Sequence, residues 1–203
     1  NIFDPPVITV DSGFTADYFD VDERLSRISD IDWDADPTHS ETTQDINYAN
    51  GRGSFWEGGD TDTFGVRVNG NVEVEEGGTF TFYLGGDDGA MLYVNGAPVI
   101  DNDGLHGFRT RSGEVELPEG NHHIEVRYFE NYGDAGLRLE WDGPGTDGRA
   151  LVASSDSSPI GIEGVATPLT VNIDNVAEDA AYRLDGLPEG TVVHSSDSAL
   201  TAG

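Results

Sequence analysis

The run Gly85-Gly86-Asp87-Asp88-Gly89 sets two adjacent carboxylates among glycines, between two strongly β-patterned stretches at 79–84 and 90–94. Neighbouring like charges at a loop tip repel each other unless something binds them. The flanking glycines let the backbone take φ > 0 and let a ligand approach closely. An all-oxygen site suits a hard cation, Ca²⁺ foremost. The same residues also make an ordinary acidic hairpin turn, because Asp and Gly are common turn residues.

Other clusters carry weaker chemistry. Asp30-Ile31-Asp32-Trp33-Asp34-Ala35-Asp36, with Glu41 beyond, mimics an EF-hand loop. It has Ala35 where that loop needs glycine, Pro37 follows, and no helices flank it, so it reads as a solvated acidic loop. His39, His106, His122, His123 and His194 form no close-spaced metal pattern, and His122 and His123 point to opposite faces of a strand. They read as surface or hydrogen-bonded polar residues. With 39 acids, some carboxylate pair will meet glycosidase spacing by chance. No nucleophile elbow, phosphate loop or Ser/His/Asp spacing stands out, and nothing supports an enzyme.

The elements that must position these residues are strands. Alternation runs through Phe64-Gly65-Val66-Arg67-Val68, Thr79-Phe80-Thr81-Phe82-Tyr83-Leu84, Glu114-Val115-Glu116-Leu117, His123-Ile124-Glu125-Val126-Arg127-Tyr128 and Leu137-Arg138-Leu139-Glu140-Trp141. Asn69-Gly70, Asn95-Gly96, Pro118-Glu119-Gly120 and Asp142-Gly143-Pro144-Gly145 read as turns. One apolar and one polar face per strand predicts an all-β antiparallel sandwich. The best helical candidate is short, at 21–29. The Ser/Asp-rich stretch from Ala153 to Pro159 reads as a boundary. Beyond it, 169–173 and 191–193 read as strands, with 187–190 as a turn between them. This short β-rich extension is too small to close a core alone, so it is expected to pack on the main body or on 1–10.

A formal net charge of -29 argues against nucleic acid and anionic membrane surfaces. It favours a cation-rich setting. There are no cysteines, which excludes disulfides and thiolate metal sites. No apolar run reaches membrane-spanning length, and no membrane insertion is expected. The start at Asn1, with no signal peptide, reads as an excised fragment.

From Gly13 to Val152 the chain resembles the PA14 domain family. The likeness runs in order through Phe14-Thr15-Ala16-Asp17-Tyr18-Phe19, the acidic segment Ile31-Asp32-Trp33-Asp34-Ala35-Asp36-Pro37, and the specific stretch Gly85-Gly86-Asp87-Asp88-Gly89-Ala90-Met91-Leu92-Tyr93-Val94-Asn95-Gly96. It continues through Val99-Ile100-Asp101, His106, Leu117-Pro118-Glu119-Gly120-Asn121-His122, Tyr128-Phe129-Glu130 and Leu137-Arg138-Leu139-Glu140-Trp141. The resemblance implies a PA14-like β-sandwich over 13–152, flanked by β segments at 1–12 and 160–203 that belong to an adjoining adhesin module.

In the lectin branch of that family an Asp-Asp pair joined by a cis peptide holds a Ca²⁺ that binds sugar hydroxyls directly. The resemblance places Asp87 and Asp88 as that pair. It gives Asn131 as the side-chain oxygen of the second loop, with Gly133 and Ala135 supplying main-chain oxygens. Tyr132 and Asp134 would shape the sugar preference. Tyr132 and Trp56 are candidate platforms for a sugar face, and His106 could reach the site. Trp33 and Trp141 are expected in the core. The segment Leu184-Asp185-Gly186-Leu187-Pro188-Glu189-Gly190-Thr191-Val192 resembles parts of large repetitive bacterial adhesins. The implied function is a Ca²⁺-dependent lectin module, a monomeric part of a secreted bacterial adhesin at the cell surface. Its partners would be cell-surface glycans or simple sugars, in cell adhesion and biofilm. The alternatives are a carbohydrate-binding module of a glycosidase and a spacer stiffened by Ca²⁺.

Overall fold

The computed structural model describes residues 7–10, 13–155, 171–174, 182–184 and 200–202. The chain divides into two compact units. The larger is Ser12–Pro168, and the smaller joins Asn1–Asp11 to Leu169–Gly203.

The larger unit is the expected sandwich of two antiparallel sheets. Its strands are β2 (Phe14–Asp20), β3 (His39–Thr43), β4 (Asn47–Gly51), β5 (Phe64–Val74), β6 (Gly78–Asp87), β7 (Ala90–Val94), β8 (Ala97–Asn102), β9 (Arg109–Leu117), β10 (Gly120–Glu130), β11 (Ala135–Asp142) and β12 (Ala150–Leu151), numbered after β1 (Val7–Val10) of the smaller unit. One sheet has the order β3-β2-β5-β10-β7-β8. The other has the order β12-β11-β6-β9, with β4 also paired to β11.

The alternation explains the core. Phe64, Val66, Val68, Val72 and Val74 of β5 and Ile124, Val126 and Tyr128 of β10 are buried against Phe80, Phe82 and Leu84 of β6 and Leu137 and Leu139 of β11. Burial of each such side chain contributes roughly 1.5–3 kcal/mol. A second, smaller cluster sits on the other face of the first sheet. There Phe19 and Phe129 meet Leu25, Ile28 and Ile31 from the long connection between β2 and β3.

Three local expectations fail, each for a visible reason. The 21–29 stretch is not a helix; only a short 3-10 turn forms, at Ile28–Asp30. Its amide donors go to side chains instead: Leu25 N–H to Asn131, Ser26 and Arg27 N–H to Asp30, and Ile28 N–H to Asp103. Asn69-Gly70 is no turn but the middle of β5, where Gly70 leaves room for the Phe14 ring. Trp33 lies off the strands in a turn and only partly covers the smaller cluster, whereas Trp141, on β11, packs half-buried against Phe80 and Phe82 of the main core as expected. Asn95-Gly96, by contrast, is the expected hairpin turn, with φ of 50° and 77° at its two residues.

In the smaller unit β1 pairs antiparallel with β13 (Val171–Asp174), in register from Val7↔Asp174 to Val10↔Val171. There β14 (Tyr182–Leu184) runs parallel to β15 (Leu200–Ala202). The strand expected at 191–193 and the turn at 187–190 lie outside the described residues. Among the described residues no helix is long and apolar enough to cross a membrane.

Candidate functional site

Four connections cross from one sheet to the other at the same end of the sandwich. They are 52–63 (β4 to β5), 88–89 (β6 to β7), 103–108 (β8 to β9) and 131–134 (β10 to β11). The strand register brings them together. Gly51 pairs with Ala135, Glu130 with Phe64, Asp87 with Gly136, Tyr128 with Ala90, Ala90 with Asn102, and Gly86 with Arg109. The Asp87-Asp88-Gly89 run is therefore not the tip of a hairpin. It is the tightest of four parallel bridges, made by a chain that changes sheets within two residues.

That tightness needs Gly89. A Cβ there would meet the Phe129 ring at 2.3 Å and the Gly104 nitrogen at 2.9 Å. The Gly89 carbonyl accepts from Phe129 N–H at 2.9 Å, tying this bridge to β10.

The Asp87–Asp88 peptide is cis. Asp88 is 7% exposed and fixed by two amides: His106 N–H donates to Oδ1 at 2.9 Å and Asn131 N–H to Oδ2 at 3.1 Å. Each oxygen keeps a free lone pair. Asn131 is equally buried, and its Oδ1 accepts from Leu25 N–H at 3.1 Å, again with a lone pair to spare. Thr63 N–H donates to the Asn131 carbonyl, and Gly133 N–H donates to Asp62 at 3.0 Å. The β10–β11 bridge is thus stitched to the 52–63 bridge on one side and to Asp88 on the other. Ala135 opens β11, one position from the partner of Asp87. The structure accordingly brings Asp87, Asp88, Asn131 and Ala135 to one place, with Gly133 on the same bridge but held against Asp62.

Tyr132 and Asp134 are on the outer side of the same bridge. Tyr132 is 56% exposed, with the Arg24 guanidinium 5.2 Å from its ring centroid. Asp134 lies 3.7 Å from Arg52. A cleft of about 460 Å³ opens beside them, lined by Arg52, Gly53, Thr61, Asp62, Tyr132 and Gly133.

Trp56 does not serve as a platform. It is 7% exposed and packs against Tyr18 and Phe64 in the core. His106 reaches Asp88 through its main chain, while its ring is held by the Asn102 and Gly107 carbonyls. His122 is hydrogen-bonded as expected, to Asn95 and the Pro118 carbonyl. His123 is neither surface nor satisfied: both ring nitrogens are buried without a partner, and burial lowers its pKa.

The electrostatics are those of uncompensated negative charge. Burial, then Asp88, pushes the Asp87 carboxyl above its ordinary range. Glu130, completely buried and missed by the sequence reading, is pushed up to about 8, by burial first and then by Asp88 and Asp87. Its Oε1 has no hydrogen-bond partner. The signal for Glu130 was its place: Ile124, Val126, Tyr128 and Glu130 form the inward row of β10, and a carboxylate there breaks the apolar pattern. Among the described residues, none of these three acids forms a salt bridge with an arginine or histidine. No three His, Asp or Glu side chains there converge as ligands of one ion. A cation would draw on Asp87 and Asp88 for charge and on amide and carbonyl oxygens for the rest, a hard donor set that suits Ca²⁺.

The fold and this acidic end define an antiparallel β-sandwich that carries its candidate site on inter-sheet bridges. The PA14 domain pattern matches residues 12–155, and the chain belongs to the PA14 domain family. Over 99 residues, 48% of its length, it is 30% identical to the anti-sigma-I factor RsgI3 of Acetivibrio thermocellus, and it spans 15% of that relative. It is similar to the PA14 domain of the MpAFP antifreeze protein, with a TM-score of 0.63 and 19% identity, over 75% of this chain and 96% of that one. It is also similar to a PA14 sugar-binding domain from an RTX adhesin, with a TM-score of 0.61 and 22% identity, over 70% of this chain and 95% of that one.

Proposed function

We propose that this PA14 domain is a Ca²⁺-dependent carbohydrate-binding module, which binds sugars without turning them over. The observation that carries the reading is the pair Asp87–Asp88 without a basic partner, on an inter-sheet bridge beside Asn131, with the Asp88 carboxylate held by two amides. The side chains of Asp87, Asp88 and Asn131, with the carbonyls of Gly133 and Ala135, are the proposed Ca²⁺ ligands. Five such oxygens fall short of the six to eight that Ca²⁺ takes at about 2.3–2.6 Å, so neighbouring hydroxyls of a sugar have coordination positions to fill. Two carboxylates offset the charge of the ion, which suits a neutral sugar. Tyr132 presents an exposed ring beside the cleft for the sugar's apolar face, and Asp134 edges the same bridge.

The fold likeness to an adhesin's sugar-binding domain supports a place in a longer, extracellular adhesive protein at the bacterial surface. The anti-sigma-I relative favours a second setting: the same glycan-binding module in a longer signalling protein. Both settings share the site. A glycan array read with Ca²⁺ and again with chelator tests it. Sugar signals that vanish in chelator are expected; an array blank in both, or one indifferent to chelator, would overturn the reading.

A further inference from the structure

The chain sets ten basic residues against 39 acids, and all ten are arginine, since it contains no lysine. Nine of them fall within 13–155. With acids so far in excess, each arginine is expected to find a partner, and seven of the nine do. Arg27, Arg67, Arg127, Arg138 and Arg149 pair with carboxylates. Arg109 and Arg111 donate to the main-chain carbonyls of Asp103 and Asp101.

The remaining two are both neighbours of Tyr132. Arg24 has no ion pair among the described residues, and its guanidinium lies over the Tyr132 ring, 5.2 Å from the centroid. Arg52 has a side chain that is 85% exposed and touches a carboxylate only through Nε, 3.7 Å from Asp134. Among the described residues its two Nη groups have no partner. Arg52 and Tyr132 line the same cleft of about 460 Å³, within the roughly 300–1,000 Å³ of small-molecule sites. The acid on the cleft wall, Asp62, is already engaged by its neighbours. Its Oδ1 accepts from Gly133 N–H at 3.0 Å and its Oδ2 from the Thr61 hydroxyl at 3.3 Å. The cleft therefore offers a ligand two things: the free end of a guanidinium and the exposed ring of Tyr132.

A guanidinium presents its N–H groups as a planar fork that fits a carboxylate through two parallel hydrogen bonds. A lone hydroxyl of a neutral sugar leaves half of that fork empty. The tyrosine ring suits the apolar face of a pyranose. A hexuronic acid residue carries both features, a ring and a carboxylate fixed to it. Gly133 joins the two places, because it lines the cleft and lies on the bridge that carries Asn131. A glycan with the hydroxyls of one residue on the ion can thus lay the next residue in the cleft.

We propose that the cleft beside Tyr132 is a subsite for a hexuronic acid residue, with Arg52 binding its carboxylate and Tyr132 its ring. The ligand is then an acidic glycan: a neutral sugar residue sits on the ion and the charged one beside it. Arg24 holds the Tyr132 ring and adds a second positive charge nearby. The proposal rests on the reading of Asp87 and Asp88 as the cation site, and it adds the class of glycan that the site selects.

The test is calorimetric titration of the full chain, in Ca²⁺ and in chelator, with aldobiouronic disaccharides, in which a hexuronic acid is linked to a neutral hexose. Their methyl esters keep the shape and remove the charge, and matching sulfated disaccharides keep a charge without the planar carboxylate. Wild type in Ca²⁺ should bind the acid about tenfold more tightly than its ester, as a charge-assisted pair of hydrogen bonds allows. Arg52→Gln should bring the two within about twofold by weakening the acid alone, with the ester bound as in wild type and the melting temperature unchanged. Arg52→Lys should restore part of the preference. An acid preference that survives in Arg52→Gln overturns the proposal, since the carboxylate then sits elsewhere, for instance on the ion. So does a wild type that binds acid and ester equally, or one that prefers the sulfated sugars. Loss of acid and ester together in chelator or in Asp88→Ala is expected of the ion. If both bind unchanged there, the cation reading fails, whatever Arg52→Gln does to the acid preference. If nothing binds wild type in Ca²⁺, both readings fall.

Discussion

Replacing Gly89 by alanine puts a methyl group where the structure has a Phe129 ring carbon at 2.3 Å, the Gly104 nitrogen at 2.9 Å and Asp103 Oδ1 at 3.0 Å. Ordinary van der Waals separation is about 3.5–4.0 Å, so something must move by about 1 Å. None of the neighbours yields easily. Phe129 is fully buried among Phe19, Leu25, Ile28 and Ile31, and Asp103 Oδ1 already binds the Ile28 and Gly104 amides. Overpacking of this kind costs about 1–3 kcal/mol. For a domain of this size each kcal/mol lowers Tm by about 2–4 °C, so a fall of about 2–12 °C is expected. Gly107→Ala, in the neighbouring bridge, is the control, because a Cβ there meets nothing within 4 Å. It should stay within about 0.5 kcal/mol of wild type. Thermal melts of both variants in chelator check this. Equal Tm values for the two would refute the claim that the bridge depends on its close approach to β10.

The raised pKa values of Glu130 and Asp87 give a pH dependence of known sign. A carboxyl whose folded pKa lies above its unfolded value adds stability below the unfolded value, and loses it as pH rises through the folded one. Metal-free Tm should therefore fall between about pH 4.5 and pH 8, the window set by Glu130. Saturating Ca²⁺, which favours the charged forms, should flatten that fall; a metal-free Tm that climbs across the window would contradict it. Trp56→Ala should destabilise by about 3–5 kcal/mol, as for other buried aromatics, and a chemical denaturation curve measures this. Ca²⁺ at a hundred times its Kd should add about 2.7 kcal/mol to wild-type stability, read as a Tm shift that Asp88→Ala lacks.

Period-2 alternation revealed β6, β7, β9, β10 and β11 and which residues face the core, because a half-buried strand must alternate. It said nothing of which strands pair, so the four bridges at one end stayed hidden. The Asp87–Asp88 run was therefore compatible with a plain hairpin until the register placed its two ends in different sheets. Asn95-Gly96 was readable as a turn because both residues adopt positive φ, whereas Asn69-Gly70 has the same letters inside a straight strand. The weak apolar face at 21–29 suggested a helix, but the side chains of Asn131 and Asp103 capture its amides from far along the chain, which no local pattern reveals. Trp56 read as a surface platform because its glycine-rich neighbours look like a loop, yet it folds back on Tyr18. Glu130 was legible as an acid on an apolar row, a signal outweighed by the more visible acids nearby.

The proposed site has Asp87 and Asp88 bind sugar through a cation. Calorimetric titration of fucose, galactose, glucose and GlcNAc into the wild-type chain and into Asp88→Ala, each with Ca²⁺ and with chelator, tests it most directly. Binding of at least one sugar to the Ca²⁺-loaded wild type is expected, and none in chelator or in the variant, with the circular dichroism of the variant unchanged. Sugar binding that persists at the same affinity in Asp88→Ala and in chelator would contradict it.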